Sequence, residues 1–132
     1  MKLELDKVID FLFLSETVSR NDELLISEFI EQIEKTMKLD KTVLLEYLEY
    51  LDESGLVKVS KDDRNLDLYR NLREGLVYKH DFVIGLSYEG QEIVNKLKGN
   101  GIKDRLKNHF KNTGYGVSID ILRKKLNELV LN

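Results

Sequence analysis

Apolar residues recur along this chain at helical spacing, broken by short polar or glycine-containing stretches. Leu5, Val8, Ile9, Leu12 and Phe13 fall at i, i+3, i+4, i+7 and i+8, one face of a first helix. The polar stretch 15–23 ends that pattern. Leu24, Leu25 and Ile26 form a run too short for a helix and read as a brief strand. Ser27 is the expected N-cap of a second helix, with Glu28 in its first turn and Ile26, Phe29, Ile30, Ile33 and Met37 on its apolar face. A break at Lys38 and Leu39 precedes Asp40, the next N-cap candidate. Val43, Leu44, Tyr47, Leu48 and Leu51 give the inner face of a third helix, which Gly55 terminates.

Residues 56–60 alternate and are β-branched, which predicts a strand. The charged stretch 61–81 fits either a long loop or a short helix over 65–74 through Leu66, Leu68, Tyr69 and Leu72, closed by Gly75. Val77 and Tyr78, then 82–86, read as the second arm of a hairpin. Ser87 is expected to cap a helix with Ile93, Val94 and Leu97 inside. Gly99, Asn100 and Gly101 break the chain. Ile102, Leu106 and Phe110 mark a narrow stripe on a basic helix, 113–116 turns the chain, and Ser118 opens a last helix facing inward with Ile119, Leu122, Leu126, Leu129 and Val130. With 23 leucines, no alanine and no proline, these helices should meet through bulky ridges.

The predicted order is helix, short strand, helix, turn, helix, strand, long connection, strand. It resembles the winged helix-turn-helix superfamily over about residues 4–87. Segment 25–29 (LISEF) looks like the strand-to-helix entry of such domains, and 48–57 (LEYLDESGLV) resembles the end of a recognition helix running into the wing. There Leu51 would anchor the helix, Gly55 supply a left-handed exit and Leu56-Val57 start the strand. Segment 85–93 (GLSYEGQEI) resembles the "LTxEGHxFL" stretch of an uncharacterised group of small bacterial and phage winged-helix proteins. Ser87 replaces the usual threonine, Gln91 the usual histidine, and the chain has no tryptophan. The resemblance implies an α+β, mostly helical winged-helix fold with extra C-terminal helices. It implies one domain over 1–132, with its core at 4–87 and a helical extension at 88–132. It assigns no activity.

The length of 132 residues suits one domain burying about two thirds of its unfolded surface. Absence of cysteine excludes disulfides and thiolate metal sites. No apolar run approaches the roughly 20 residues of a membrane span, and the N-terminus alternates charged and apolar residues unlike a signal peptide, so a cytoplasmic location is expected.

Charge is unevenly distributed. Residues 1–56 hold 6 basic and 14 acidic side chains, whereas 57–132 hold 15 basic and 10 acidic. The extreme is 96–125, where Lys96, Lys98, Lys103, Arg105, Lys107, Lys111, Arg123, Lys124 and Lys125 face only Asp104 and Asp120. A basic end suggests double-stranded DNA as the partner. Cations placed to reach it are Arg64, Arg70 and Arg73 in the long connection, and Lys103, Arg105, Lys107 and Lys111 on the basic helix. In the third helix the outward positions are Lys41, Thr42, Leu45, Glu46 and Glu49. Lys41 and Thr42 stand where a recognition helix meets base edges. Glutamate can accept from cytosine N4, but carboxylates repel phosphate, so the alternative is that Leu45, Glu46, Glu49 and Tyr50 face a protein partner. The acids Asp62, Asp63, Asp67, Glu74 and Asp81 temper the long connection in the same way.

Catalysis finds no motif. His80 and His109 lack companions at metal-ligand spacing, and no phosphate-cradling or nucleophile-elbow glycine run occurs. The chain is expected to be no enzyme and to need no cofactor or metal. Leu3, Phe11 and Leu14 look surplus to the first helix's stripe, and the last helix ends Leu129-Val130-Leu131, which together predict a homodimer through terminal helices.

Overall fold

Nine elements appear in a computed structural model that describes residues 3–18, 24–60, 82–113 and 118–131. They are α1 (Leu5–Val18), β1 (Leu24–Leu25), α2 (Ile26–Met37), α3 (Lys41–Glu53), β2 (Val57–Ser60), β3 (Phe82–Leu86), α4 (Tyr88–Leu97), α5 (Ile102–Thr113) and α6 (Ile119–Leu131). The architecture is α+β and mostly helical. The competing readings of 61–81 and the three arginines of that stretch lie outside the described residues, as do residues 114–116 of the turn expected at 113–116, whose Thr113 ends α5.

Helix α1 runs further than its apolar stripe predicts. Ser15 is fully buried, and its hydroxyl donates to the Phe11 carbonyl at 2.8 Å, so the polar group is satisfied inside the helix and the chain stays helical. The apolar girdle of α1 is also wider than one stripe, because α2, α4, α5 and β3 all pack against it. Phe11 is therefore no surplus residue. It is fully buried, edge-on to Phe29 at 5.6 Å and stacked on Tyr47 at 6.3 Å between ring centroids. Leu3 and Leu14 pack against the same core.

The Tyr47 hydroxyl accepts from the Glu4 N–H at 2.9 Å, tying the entry of α1 to α3. Burial pushes this phenol above its ordinary pKa, the Glu4, Asp6 and Glu46 carboxylates add to the rise, and the hydrogen bond to Glu4 opposes it.

Helix α2 starts one residue before the expected cap. Leu25 occupies the N-cap with no side-chain hydrogen bond, and Ser27 lies exposed within the first turn. The reason is Ile26, which must enter the core directly from the β1 pairing with β3. Lys38 closes α2 in the left-handed region, at φ 56°, its N–H donating to the Glu34 carbonyl at 2.9 Å. Asp40 stands at the N-cap of α3, as its position predicts, without a side-chain cap bond.

The exit of α3 is a Schellman motif. Leu56 N–H donates to the Leu51 carbonyl at 2.9 Å and Gly55 N–H to Asp52 at 3.1 Å, with Gly55 at φ +76°. Leu51 and Leu56 are both fully buried, and β2 begins one residue later than the alternation suggests because Leu56 belongs to this closure.

The sheet is antiparallel with strand order β1-β3-β2. Lys58 faces Gly85 but Val59 faces Val83, so β3 carries one extra residue, next to the positive-φ Gly85.

Ser87 locks α4 to the α3–β2 corner. Its N–H donates to the Leu56 carbonyl at 2.9 Å and its hydroxyl to the Gly55 carbonyl at 2.6 Å, while the same oxygen caps the helix by accepting from Gly90 N–H at 3.0 Å. Gly90 presses on this corner so closely that a Cβ there would lie 2.2 Å from the Leu56 carbonyl oxygen. Behind it, Ile93, Val94 and Leu97 of α4, Leu106 and Phe110 of α5, and Leu122, Leu126 and Leu129 of α6 join one buried cluster reaching back to Leu5. Val130, expected inside, is 44% exposed, at the edge of the arc of α6 that Ile119, Leu122, Leu126 and Leu129 bury. Among the described residues, no helix is long and apolar enough to cross a membrane.

Candidate nucleic-acid interface

The turn between α2 and α3 is the most cationic described part of the acidic half. Lys35, Lys38 and Lys41 are all exposed there, with Thr42 beside them, and none of the three lysines makes an ion pair among the described residues. Asp40 is the one acid between Lys35 and Thr42. The first N–H groups of α3 point toward this end without a side-chain cap from Asp40, which adds the positive end of the helix dipole. Sequence reasoning singled out Lys41 and Thr42 but missed Lys35 and Lys38. Their signal was present as a run of lysines at the turn, but charge summed over 56 residues hides it.

Further along α3 the character reverses. Leu45, read as outward, is only 7% exposed and belongs to the core, because α3 packs against both α2 and β2 and buries a wide arc. Glu46, Glu49 and Tyr50 are half-buried. Tyr50 also lines a shallow hollow of about 400 Å³ with Ser54, Ser118, Ile119, Asp120 and Arg123, where the end of α3 meets the start of α6.

The basic stretch 96–125 is not the free cationic face its composition suggests. Lys107 pairs with Asp10 of α1. Lys103 lies over the Phe13 ring, 4.2 Å from its centroid. Lys98 pairs with Glu16 at 2.9 Å, and Gln91 donates to the same carboxylate, so α4 is clasped to α1. Arg123 pairs with Glu89 at 2.7 Å, Lys96 with Glu92 at 3.5 Å and Lys125 with Glu128 at 3.4 Å. Arg105, Lys111 and Lys124 remain exposed without an ion pair among the described residues. The expected four-cation face of α5 is thus reduced to Arg105 and Lys111.

No protein-family model matches the chain, and no curated protein or solved structure matches it.

His109 is half-buried, with its ring 5.3 Å from that of Phe110. His80 and the arginines Arg64, Arg70 and Arg73 lie outside the described residues. What the described surface offers chemically is therefore charge and hydrogen-bond donors: a cationic entry to α3, an acidic later face, and two lone cations on α5.

Proposed function

We propose that the chain is a winged helix-turn-helix protein that binds double-stranded DNA, a small transcription-regulator-like protein of bacterial or phage type. The element order α1-β1-α2-α3-β2-β3 and the sheet order β1-β3-β2 support the fold assignment. The observation that carries the DNA reading is the exposed set of Lys35, Lys38 and Lys41 around the α2–α3 turn. In a helix-turn-helix the start of the second helix enters the major groove while the first helix crosses the DNA backbone. Lysines at that turn would take the phosphates, and Thr42 would stand nearest the base edges. Arg64, Arg70 and Arg73, in the segment joining β2 to β3, would add phosphate contacts from the wing.

A second reading keeps the scaffold and changes the partner. The half-buried Glu46 and Glu49, with Tyr50, make the later face of α3 acidic and aromatic, which favours a protein over a phosphate backbone. Leu45 has no place in that surface.

Binding of the purified protein to random duplex DNA across a salt series separates the two. Phosphate contacts give a linear fall of log affinity with log salt, with a slope of about −0.9 per contact. No retention at low salt rejects DNA binding and leaves the protein-partner reading.

A further inference from the structure

Helix α6 presents a second pattern on its solvent side. Ile121, Lys124, Glu128 and Leu131 are spaced three, four and three residues apart, so they share one face, opposite the buried Ile119, Leu122, Leu126 and Leu129. Ile121 is 38% and Leu131 85% exposed, and Lys124 makes no ion pair among the described residues. Glu128 pairs with Lys125 rather than with Lys124 one turn before it.

We propose that this face is a self-association surface, occupied by α6 of a second copy lying antiparallel across a twofold axis. The pattern is self-complementary only in that arrangement. With the axis at Leu126, Ile121 meets Leu131 of the second copy and Lys124 meets Glu128 of the second copy, each contact occurring twice. Ile121 and Leu131 lie about 15 Å apart along the helix, at 1.5 Å per residue, so the two apolar contacts flank the two ion pairs. A parallel pairing would set Lys124 against Lys124 and Glu128 against Glu128, like charge on like charge. Charge complementarity thus selects both the partner and its direction, as an isologous interface requires. The surface is independent of DNA binding and is tested without nucleic acid.

Sedimentation equilibrium of the intact protein should show a concentration-dependent dimer. Ile121→Asp with Leu131→Asp should leave a folded monomer at every concentration, with an unchanged circular dichroism spectrum because both residues are exposed. Lys124→Glu alone and Glu128→Lys alone should each be monomeric, and an equimolar mixture of the two should dimerise. That rescue cannot come from a helix-stabilising role within one chain. Because the chain has no cysteine, cross-linking adds a register test. Ile121→Cys combined with Leu131→Cys should give a covalent dimer on oxidation, and either cysteine alone should not. A wild type that stays monomeric, single charge variants that dimerise like wild type, a mixture that stays monomeric, or a single cysteine that cross-links as well as the pair would each overturn the proposal.

Discussion

The α2–α3 turn and the α4–α6 stretch have opposite fates. The turn belongs to the acidic half of the chain, yet Lys35, Lys38 and Lys41 stay exposed and make no ion pair among the described residues. The later stretch is the basic half, yet most of its cations are held by carboxylates or a ring. Asp10 and Glu16 come from α1, so the acidic half neutralises part of the basic half across the helix packing, while Glu89, Glu92 and Glu128 of the basic half take the rest. Segment charge says which parts of a chain attract each other. It says little about which charges remain for a partner, because that depends on what the fold sets beside them.

Helix α1 makes this arrangement, and removing its central ring should break it most severely. Phe11→Ala deletes a fully buried side chain that touches α2 and α3 rings, and should cost about 3–5 kcal/mol, read by urea unfolding. A loss below about 0.5 kcal/mol, the size of an ordinary surface change, would contradict the central place of α1. Gly90→Ala comes next. The new methyl meets the Leu56 carbonyl, a backbone atom with no freedom to turn away, so a destabilisation of about 1–3 kcal/mol is expected.

Lys38→Gly sharpens the comparison by giving two effects of opposite sign. Glycine relieves the left-handed conformation and should stabilise the fold by about 0.5–1 kcal/mol, while DNA affinity falls at low salt. A stability gain with unchanged affinity would remove Lys38 from the interface. Lys107→Gln should show the reverse profile. It gives up the pair with Asp10 at a cost of at most about 1 kcal/mol, fading as salt is added, and leaves DNA binding unchanged.

Much of the fold was legible because local chemistry and tertiary contacts agree. Asp40, Gly55, Ser87 and Ser118 mark element ends in sequence and stand at those ends in the structure, Ser118 by accepting from Ile121 N–H at 3.3 Å. Leu44, Leu48 and Leu51 are inside, as their spacing predicts. Misreadings occur where a neighbour widens or narrows the buried arc. Phe11 and Leu45 are buried by elements on a second side of their helices, whereas Val130 stands at the edge of the arc that α6 buries. Ser27 lost its capping position to a core demand from Ile26. The candidate interface was less legible than the core. Lys41 and Thr42 follow from helix position, but Lys35 and Lys38 matter only once the turn is seen to leave them unpaired. The loss of Lys103 and Lys107 to Phe13 and Asp10 depends on α1·α5 contacts between residues far apart in sequence, beyond the reach of any local pattern.

The most direct test compares two neutralised variants in one salt series on random duplex DNA. The first carries glutamine at Lys35, Lys38 and Lys41, and the second at Lys103, Arg105, Lys107 and Lys111. If the turn holds the phosphates, the first variant should flatten the log–log salt slope by about 2.7, at about 0.9 per contact. The second should flatten it by no more than about 1.8, because Lys107 is paired with Asp10 and Lys103 lies over the Phe13 ring, leaving Arg105 and Lys111 without such a contact among the described residues. A wild-type slope that the first variant leaves intact while the second abolishes would contradict the assignment of the interface to the α2–α3 turn.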